Sequence, residues 1–257
     1  MRGLIGYSGF VGSNLDRQGA FDALFNSKNF QALAGQAFDE IWCAGVQASK
    51  WWANQNPEAD WNAIDSLLGV LKTVKADRFV LISTVDVFKS PIAVDERTLP
   101  DRHGLHAYGL HRLRVEDMVK ERFPRHLVVR LPGLYGRGLR KNVIYDFLHG
   151  NNLASIHADA VFQFYDLSRL TSDIAVASAA DVDLIHLTTE PVSVAEVAAY
   201  AFDLVFQNRP TPAAPRYDLH TVHARLWDRE GPYLESGAEV LRGIRSFVAA
   251  MRQVERI

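Results

Sequence analysis

Gly6-Tyr7-Ser8-Gly9-Phe10-Val11-Gly12 stands between a short candidate strand, Arg2–Ile5, and a probable helix start. Glycines at every third position allow a tight turn and let backbone amides approach phosphate oxygens. The amino terminus of the helix that follows adds favourable partial positive charge. Gly6, Gly9 and Gly12 therefore point to the pyrophosphate of a dinucleotide; the competing reading is a packing turn without ligand.

Strand and helix patterns alternate outward from this loop. Ala23–Asn26 and Phe38–Gly45 read as strands. Trp61, Ile64, Leu67, Leu68, Leu71 and Val74 share one face of a helix expected over 58–76. Phe79-Val80-Leu81-Ile82 is an unbroken apolar run, as in a strand covered on both sides, and it ends at Ser83-Thr84. A helix is expected over 107–122, closed by Pro124, with a buried strand over 126–130. Pro132–Gly136 reads as the loop after it. Residues 161–165 alternate like a strand, and 183–187 form a late one. Ser193/Glu196 and Ser236/Glu239 are spaced as capping boxes at the heads of two helices. Val240, Leu241, Ile244, Phe247, Val248 and Met251 form the apolar stripe of the second. Residues 208–235 are proline-rich, aromatic and irregular. This alternation implies a mostly parallel sheet with helices on both faces, binding ligands beyond the carboxyl ends of its strands.

The 257 residues, 48% hydrophobic and 23% charged, suit one soluble core with a modest C-terminal elaboration. A net charge of -2 gives no electrostatic reason to expect nucleic acid or an anionic membrane as partner. Cys43, the single cysteine, lies in an apolar run and reads as a reduced, buried thiol. His220 and His223 lack a clear third ligand, so no metal is expected. No apolar run approaches the roughly 18 residues of a membrane span. The glycine motif also begins too early to follow a signal peptide, and a cytoplasmic location is expected by elimination.

After the second strand the chain offers Asn26-Ser27-Lys28-Asn29 in place of a carboxylate. A carboxylate there favours an unphosphorylated ribose, whereas Lys28 suits a 2′-phosphate, so NADP is slightly preferred over NAD. Tyr108 and Arg112 are four residues apart and share a helical face. A fixed cation beside a phenol favours its ionised form, and phenol and phenolate can act as acid and base between a carbonyl and an alcohol. Thr84, at a strand end, offers a hydroxyl to the same substrate oxygen. Each has a plainer reading: Thr84 as a local cap, Tyr108 as core, Arg112 as solvated or paired with Glu116.

Taken in order, these segments resemble the extended short-chain dehydrogenase/reductase family, in its NAD-dependent epimerase/dehydratase branch. Residues 6–12 match the glycine motif, 79–88 the strand ending in a Ser/Thr position, and Tyr108-Gly109-Leu110-His111-Arg112 the YxxxK helix. Residues 130–136 match the nicotinamide-side loop, and 189–193 a segment of the substrate-binding half. The resemblance implies a Rossmann-like, doubly wound α/β fold with a small C-terminal substrate-binding lobe. The division expected is 1–165 for the core and 166–257 for a mixed region of core elements and lobe. It implies an NAD(P) cofactor held by Ser8, Phe10, Val11, Ala44, Gly45, Pro132, Gly133 and Leu134 in addition to the three glycines. Thr84 would polarise the substrate, Tyr108 would be the acid/base, and position 112 would hold the nicotinamide ribose and tune Tyr108. Arg112 is a departure, because the pattern has lysine there.

Family dehydratases carry an acidic pair after the catalytic threonine, whereas this chain has Val85-Asp86. Elimination is therefore disfavoured, leaving reduction or epimerisation of a nucleotide-linked sugar. Asp86, Arg137, Arg140, Gln163 and Tyr165 are the candidate substrate contacts, and a homodimer through the long helices is plausible. The alternatives are a cofactor-binding regulatory or scaffold protein without efficient chemistry, and a reductase of a non-sugar ketone.

Overall fold

A computed structural model describes residues 1–211 and 213–254. In chain order the strands and helices are β1 Arg2–Ile5, α1 Phe10–Gln18, β2 Ala23–Phe25, β3 Ala37–Cys43, α2 Lys50–Gln55, α3 Pro57–Leu71 and β4 Lys75–Thr84. There follow β5 Ile92–Val94, α4 Ala107–Arg122, β6 His126–Leu131, β7 Gly133–Tyr135, α5 Val143–His149, β8 Val161–Phe162 and β9 Phe164–Asp166. The last are α6 Leu170–Ala179, β10 Leu184–His186, β11 Val192–Ser193, α7 Val194–Phe202, β12 Asp218–Leu219 and α8 Gly237–Val254.

The chain forms two compact units that interleave in sequence. The first comprises Met1–Ser90, Thr98–Leu131 and Ser168–Ile185; the second comprises Pro91–Arg97, Pro132–Leu167 and His186–Ile257.

A six-stranded sheet of order β10-β6-β4-β3-β1-β2 organises the first unit, and the neighbours from β2 to β6 run parallel. This is the mostly parallel, Rossmann-like α/β sheet that the alternation implies. Phe79, Leu81 and Val128 join the apolar cluster built with α3 and α4, where Phe79 stacks on Phe123 at 4.4 Å between centroids. The alternate residues Leu4, Trp42, Val80 and Leu127 are equally buried. Both faces are thus covered, as strands without polar alternation require. The chain leaves β1 for β2 on one side and returns to β3 on the other, so the strand order reverses at the carboxyl ends of β1 and β3. Open α/β sheets bind ligands at such a reversal.

The expected helix over 58–76 is shorter than its pattern. It ends at Leu71, Thr73 turns its hydroxyl back to the Val70 carbonyl, and Lys75 already pairs with Ala37 in the sheet. Val74 continues the spacing but is buried at the strand's entrance.

In the second unit β7 pairs with β9, β8 with β11 and β12 with β5. Ser193/Glu196 form the expected capping box, and Ser236 and Glu239 bond reciprocally before α8. The 161–165 pattern is two short strands broken at Gln163. Its buried side-chain amide donates to the Thr189 and Leu219 carbonyls and accepts from the Leu219 amide, substituting for a ladder. Position 212, within the expected long loop, lies outside the described residues.

Candidate active site

The loop after β1 folds on itself. Gly6 has φ +87°, and its carbonyl accepts from the Gly9 amide at 2.9 Å. A side chain at Gly12 would lie 1.9 Å from the Gly6 oxygen, and one at Gly6 would meet the Ala44 carbonyl at 2.4 Å. Glycine is therefore required at both positions for the loop to seat between β1 and β3. Gly9 caps α1 with no side-chain acceptor, and the helix's first turn carries no acidic residue. Neither the cap nor the first turn thus neutralises this helix start, which leaves its amide dipole to favour an anion.

Beside the loop opens a cleft of about 270 Å³, lined by Gly6, Asn26, Ser27, Gly45, Gln47 and Asp60, among others. Asn26 and Asn29 form a small hydrogen-bonded turn at the end of β2: Asn26 Oδ1 accepts from the Lys28 amide at 2.9 Å, and Asn29 Oδ1 accepts from the Asn26 amide at 2.7 Å. Lys28 is exposed on this turn. Cys43, just before Ala44 and Gly45, is buried, and burial pushes its thiol up to about 11.

At the carboxyl end of β4, Thr84 accepts from the Asp86 amide at 3.1 Å, and its hydroxyl lies beside the Tyr108 phenol. The amino terminus of α4 is capped twice: His106 Nδ1 accepts from the Gly109 amide and Asn54 Oδ1 from the Tyr108 amide, both at 3.0 Å. These bonds fix the first turn, and Tyr108 with it. Burial pushes the Tyr108 phenol up. The Arg112 guanidinium pulls it down, the Asp86 carboxylate pushes it up, and the Thr84 hydroxyl and Lys50 ammonium pull it down.

Arg112 is only 4% exposed and lies over the Tyr108 ring, 4.0 Å from its centroid. Its Nη1 donates to Asp60 Oδ2 at 2.5 Å and its Nη2 to Asp60 Oδ1 at 3.0 Å, with a further bond to the Gln47 carbonyl. His111 Nδ1 meets the same carboxylate at 2.7 Å. The geometry corrects the plainer reading of this residue. Arg112 is neither solvated nor paired with Glu116, and its Nη donors meet Asp60 and backbone carbonyls. Glu116 pairs instead with Arg130.

Sequence reasoning missed Asp60, Asn54 and Lys50. Lys50 Nζ donates to Asp86 Oδ1 at 2.7 Å. Asp60 looks like an ordinary acidic residue of a helix's first turn, and α2 is too short to show a period. The signal that could have found Asp60 was its place one residue before an apolar stripe.

Pro132 precedes β7 of the second unit, where Gly133 and Leu134 pair with Phe164 and Tyr165. Tyr165 and Gln163 are buried there, Gln163 with its amide spent on backbone, while Arg137 and Arg140 are exposed.

No protein-family model and no curated protein matches the chain by sequence. Among solved structures, the dTDP-4-dehydrorhamnose reductase of Bacillus anthracis in complex with NADP aligns with TM-score 0.74 and 18% identity, over 97% of this chain and 98% of that one. The UDP-glucose 4-epimerase of Thermotoga maritima with UDP-glucose aligns at 0.70 and 14% identity, over 99% of both chains. A dTDP-4-dehydrorhamnose reductase from Yersinia enterocolitica aligns at 0.71 and 14%, over 96% of this chain and 98% of that one. The chain has the extended short-chain dehydrogenase/reductase fold.

Proposed function

We propose that the protein is an NAD(P)-dependent oxidoreductase that interconverts a carbonyl and an alcohol, with a nucleotide-linked keto-sugar as substrate and reduction as its net reaction. One observation carries the reading: a threonine at the carboxyl end of β4 lies beside a tyrosine at the start of α4, and a guanidinium lies against the phenol ring, 4.0 Å from its centroid. That guanidinium is tied to Gln47 and Asp60, which line the same cleft as Gly6 and Gly45. The glycine cradle and uncapped helix start fit a dinucleotide's pyrophosphate, and the carboxylate-free turn at Asn26 and Lys28 supports NADP. When bound, the nicotinamide supplies the hydride. The chain's own part is to move a proton: Thr84 orients the substrate oxygen, and the Tyr108 O–H bond breaks as a new O–H bond forms on it. The fold shared with nucleotide-sugar reductases and epimerases supports the substrate class.

The test is a screen of nucleotide-linked keto-sugars that follows oxidation of NADPH and NADH by absorbance. Stoichiometric consumption of reduced cofactor is expected, whereas an epimerase would consume none. Tyr108→Phe should retain dinucleotide binding and lose about 10²- to 10⁴-fold in turnover. Turnover equal to the parent protein would reject the acid/base role. The commitment of Arg112 to Asp60 favours a second reading, a dinucleotide-binding regulatory protein; binding without turnover across the screen would select it.

A further inference from the structure

A second set of charges, independent of Arg112, sits against the first turn of α4, where Tyr108 lies. Asp86 follows Thr84 in the turn after β4, and this turn is pressed against α4: a side chain at Gly109 would lie 2.3 Å from the Asp86 carbonyl oxygen. The Asp86 amide donates to the Thr84 hydroxyl, which leaves that hydroxyl's own proton free of this bond, beside the phenol. The Asp86 carboxylate meets Lys50, whose ammonium is half-exposed and arrives on α2. That helix is itself tied to α4, through Asn54 and the Tyr108 amide. The two charges differ from the Arg112–Asp60 pair in being reachable by solvent: their side chains are 40% and 20% exposed, against 5% and 1%.

From this arrangement we infer that Asp86 and Lys50 are positioning residues that act through Tyr108: the carboxylate holds the proton on the phenol, and the ammonium promotes its release. Arg112 supplies a constant charge, locked under the ring by Asp60 with His111 behind it. Asp86 and Lys50 form the adjustable pair, so ligand binding that draws Lys50 away from Asp86 changes how readily Tyr108 gives up its proton. His106 is a further titratable group close to this pair, and its charge is coupled to both members. The inference rests on Tyr108 as the proton donor of the proposed reaction, and its readout needs no turnover.

The experiment labels the whole protein with difluorotyrosine, whose phenol ionises near neutral pH, and titrates it by ¹⁹F NMR. The Tyr108 resonance is assigned by its loss in Tyr108→Phe. Lys50→Met should raise its titration midpoint by about one pH unit, and Asp86→Asn should lower it by a similar amount. Lys50→Arg should restore the parent value. Opposite shifts with that rescue support the inference, and any other pattern overturns it. In the same samples, turnover of Tyr108→Phe judges the acid/base reading separately, so either can fail alone.

Discussion

Helix α4 carries two buried arginine–carboxylate clamps, and what lies beyond each differs. In the first, Arg130 of β6 grips Glu116, with Nε 3.0 Å from Oε1 and Nη2 2.7 Å from Oε2, and Ser83 donates to Oε1 at 2.6 Å. Arg130, Glu116 and Ser83 are all buried, and they join the helix to β4 and β6. In the second, Arg112 grips Asp60 of α3, but Asp60 borders the cleft and a phenol ring lies on the guanidinium. Burying an ion pair is costly and is tolerated when hydrogen bonds satisfy both partners. The first clamp spends that cost on holding the sheet to the helix. The second holds a charge still beneath the Tyr108 ring. The same pairing chemistry thus serves as a rivet in one place and as a platform in the other.

Removing the rivet should have the largest effect. Glu116→Ala leaves Arg130 buried without its carboxylate and should cost about 3–5 kcal/mol of stability, measured by urea unfolding. Tyr108 should titrate unchanged in whatever protein remains folded. A loss of less than about 1 kcal/mol would mean that the pair behaves like a surface ion pair. Asp60→Ala should cost somewhat less, about 3 kcal/mol, because its clamp borders a cleft that water can enter. Unlike Glu116→Ala, it should move the Tyr108 titration. If both variants left Tyr108 untouched, the distinction between rivet and platform would be lost.

A gentler change sharpens the same comparison. Arg112→Lys keeps the charge and removes the planar fork, so stability should fall by about 1–2 kcal/mol in thermal unfolding. Dinucleotide affinity, by calorimetry, should be unchanged, since the Arg112 Nη donors are already committed inside the protein. A tenfold loss of affinity would restore Arg112 as a ligand contact.

The rivet and the platform also explain what the sequence could disclose. The glycine loop, the apolar run before Ser83 and the α4 pattern were legible because each rests on local spacing: tight turns, double-sided burial, helical faces. Arg112 was legible as a departure but not in its consequence. Its partner lies fifty-two positions earlier on another helix, and an acidic residue in a helix's first turn has a common local explanation. Lys50 and Asn54 were hidden by the six-residue length of α2, which allows no periodicity. Gln163 looked like a polar position facing a ligand because a strand break filled by a side-chain amide has no signature in alternation. Arg130 was hidden in a strand whose other residues are apolar, and its burial depends on Glu116, fourteen positions away.

The smallest expected effect concerns the end of α4 nearest Tyr108. His106 caps this end through Nδ1, which must be unprotonated to accept from the Gly109 amide. Burial lowers the His106 pKa below its ordinary 6.5, and the Lys50 charge lowers it further. Asp86 opposes this, and Arg112 adds to it. The unfolded chain therefore binds the proton more readily than the folded one. The stability this provides is complete above pH 6.5 and is lost as the pH falls through the lower folded value. His106→Asn keeps a side-chain acceptor without a titrating group, so it should be near neutral in effect at pH 8, while His106→Ala should cost about 1 kcal/mol there. Between pH 6.5 and the lower folded value, the parent protein should lose stability relative to His106→Asn in paired urea titrations. If the two lines run parallel across that range, the cap does not depend on the histidine's charge.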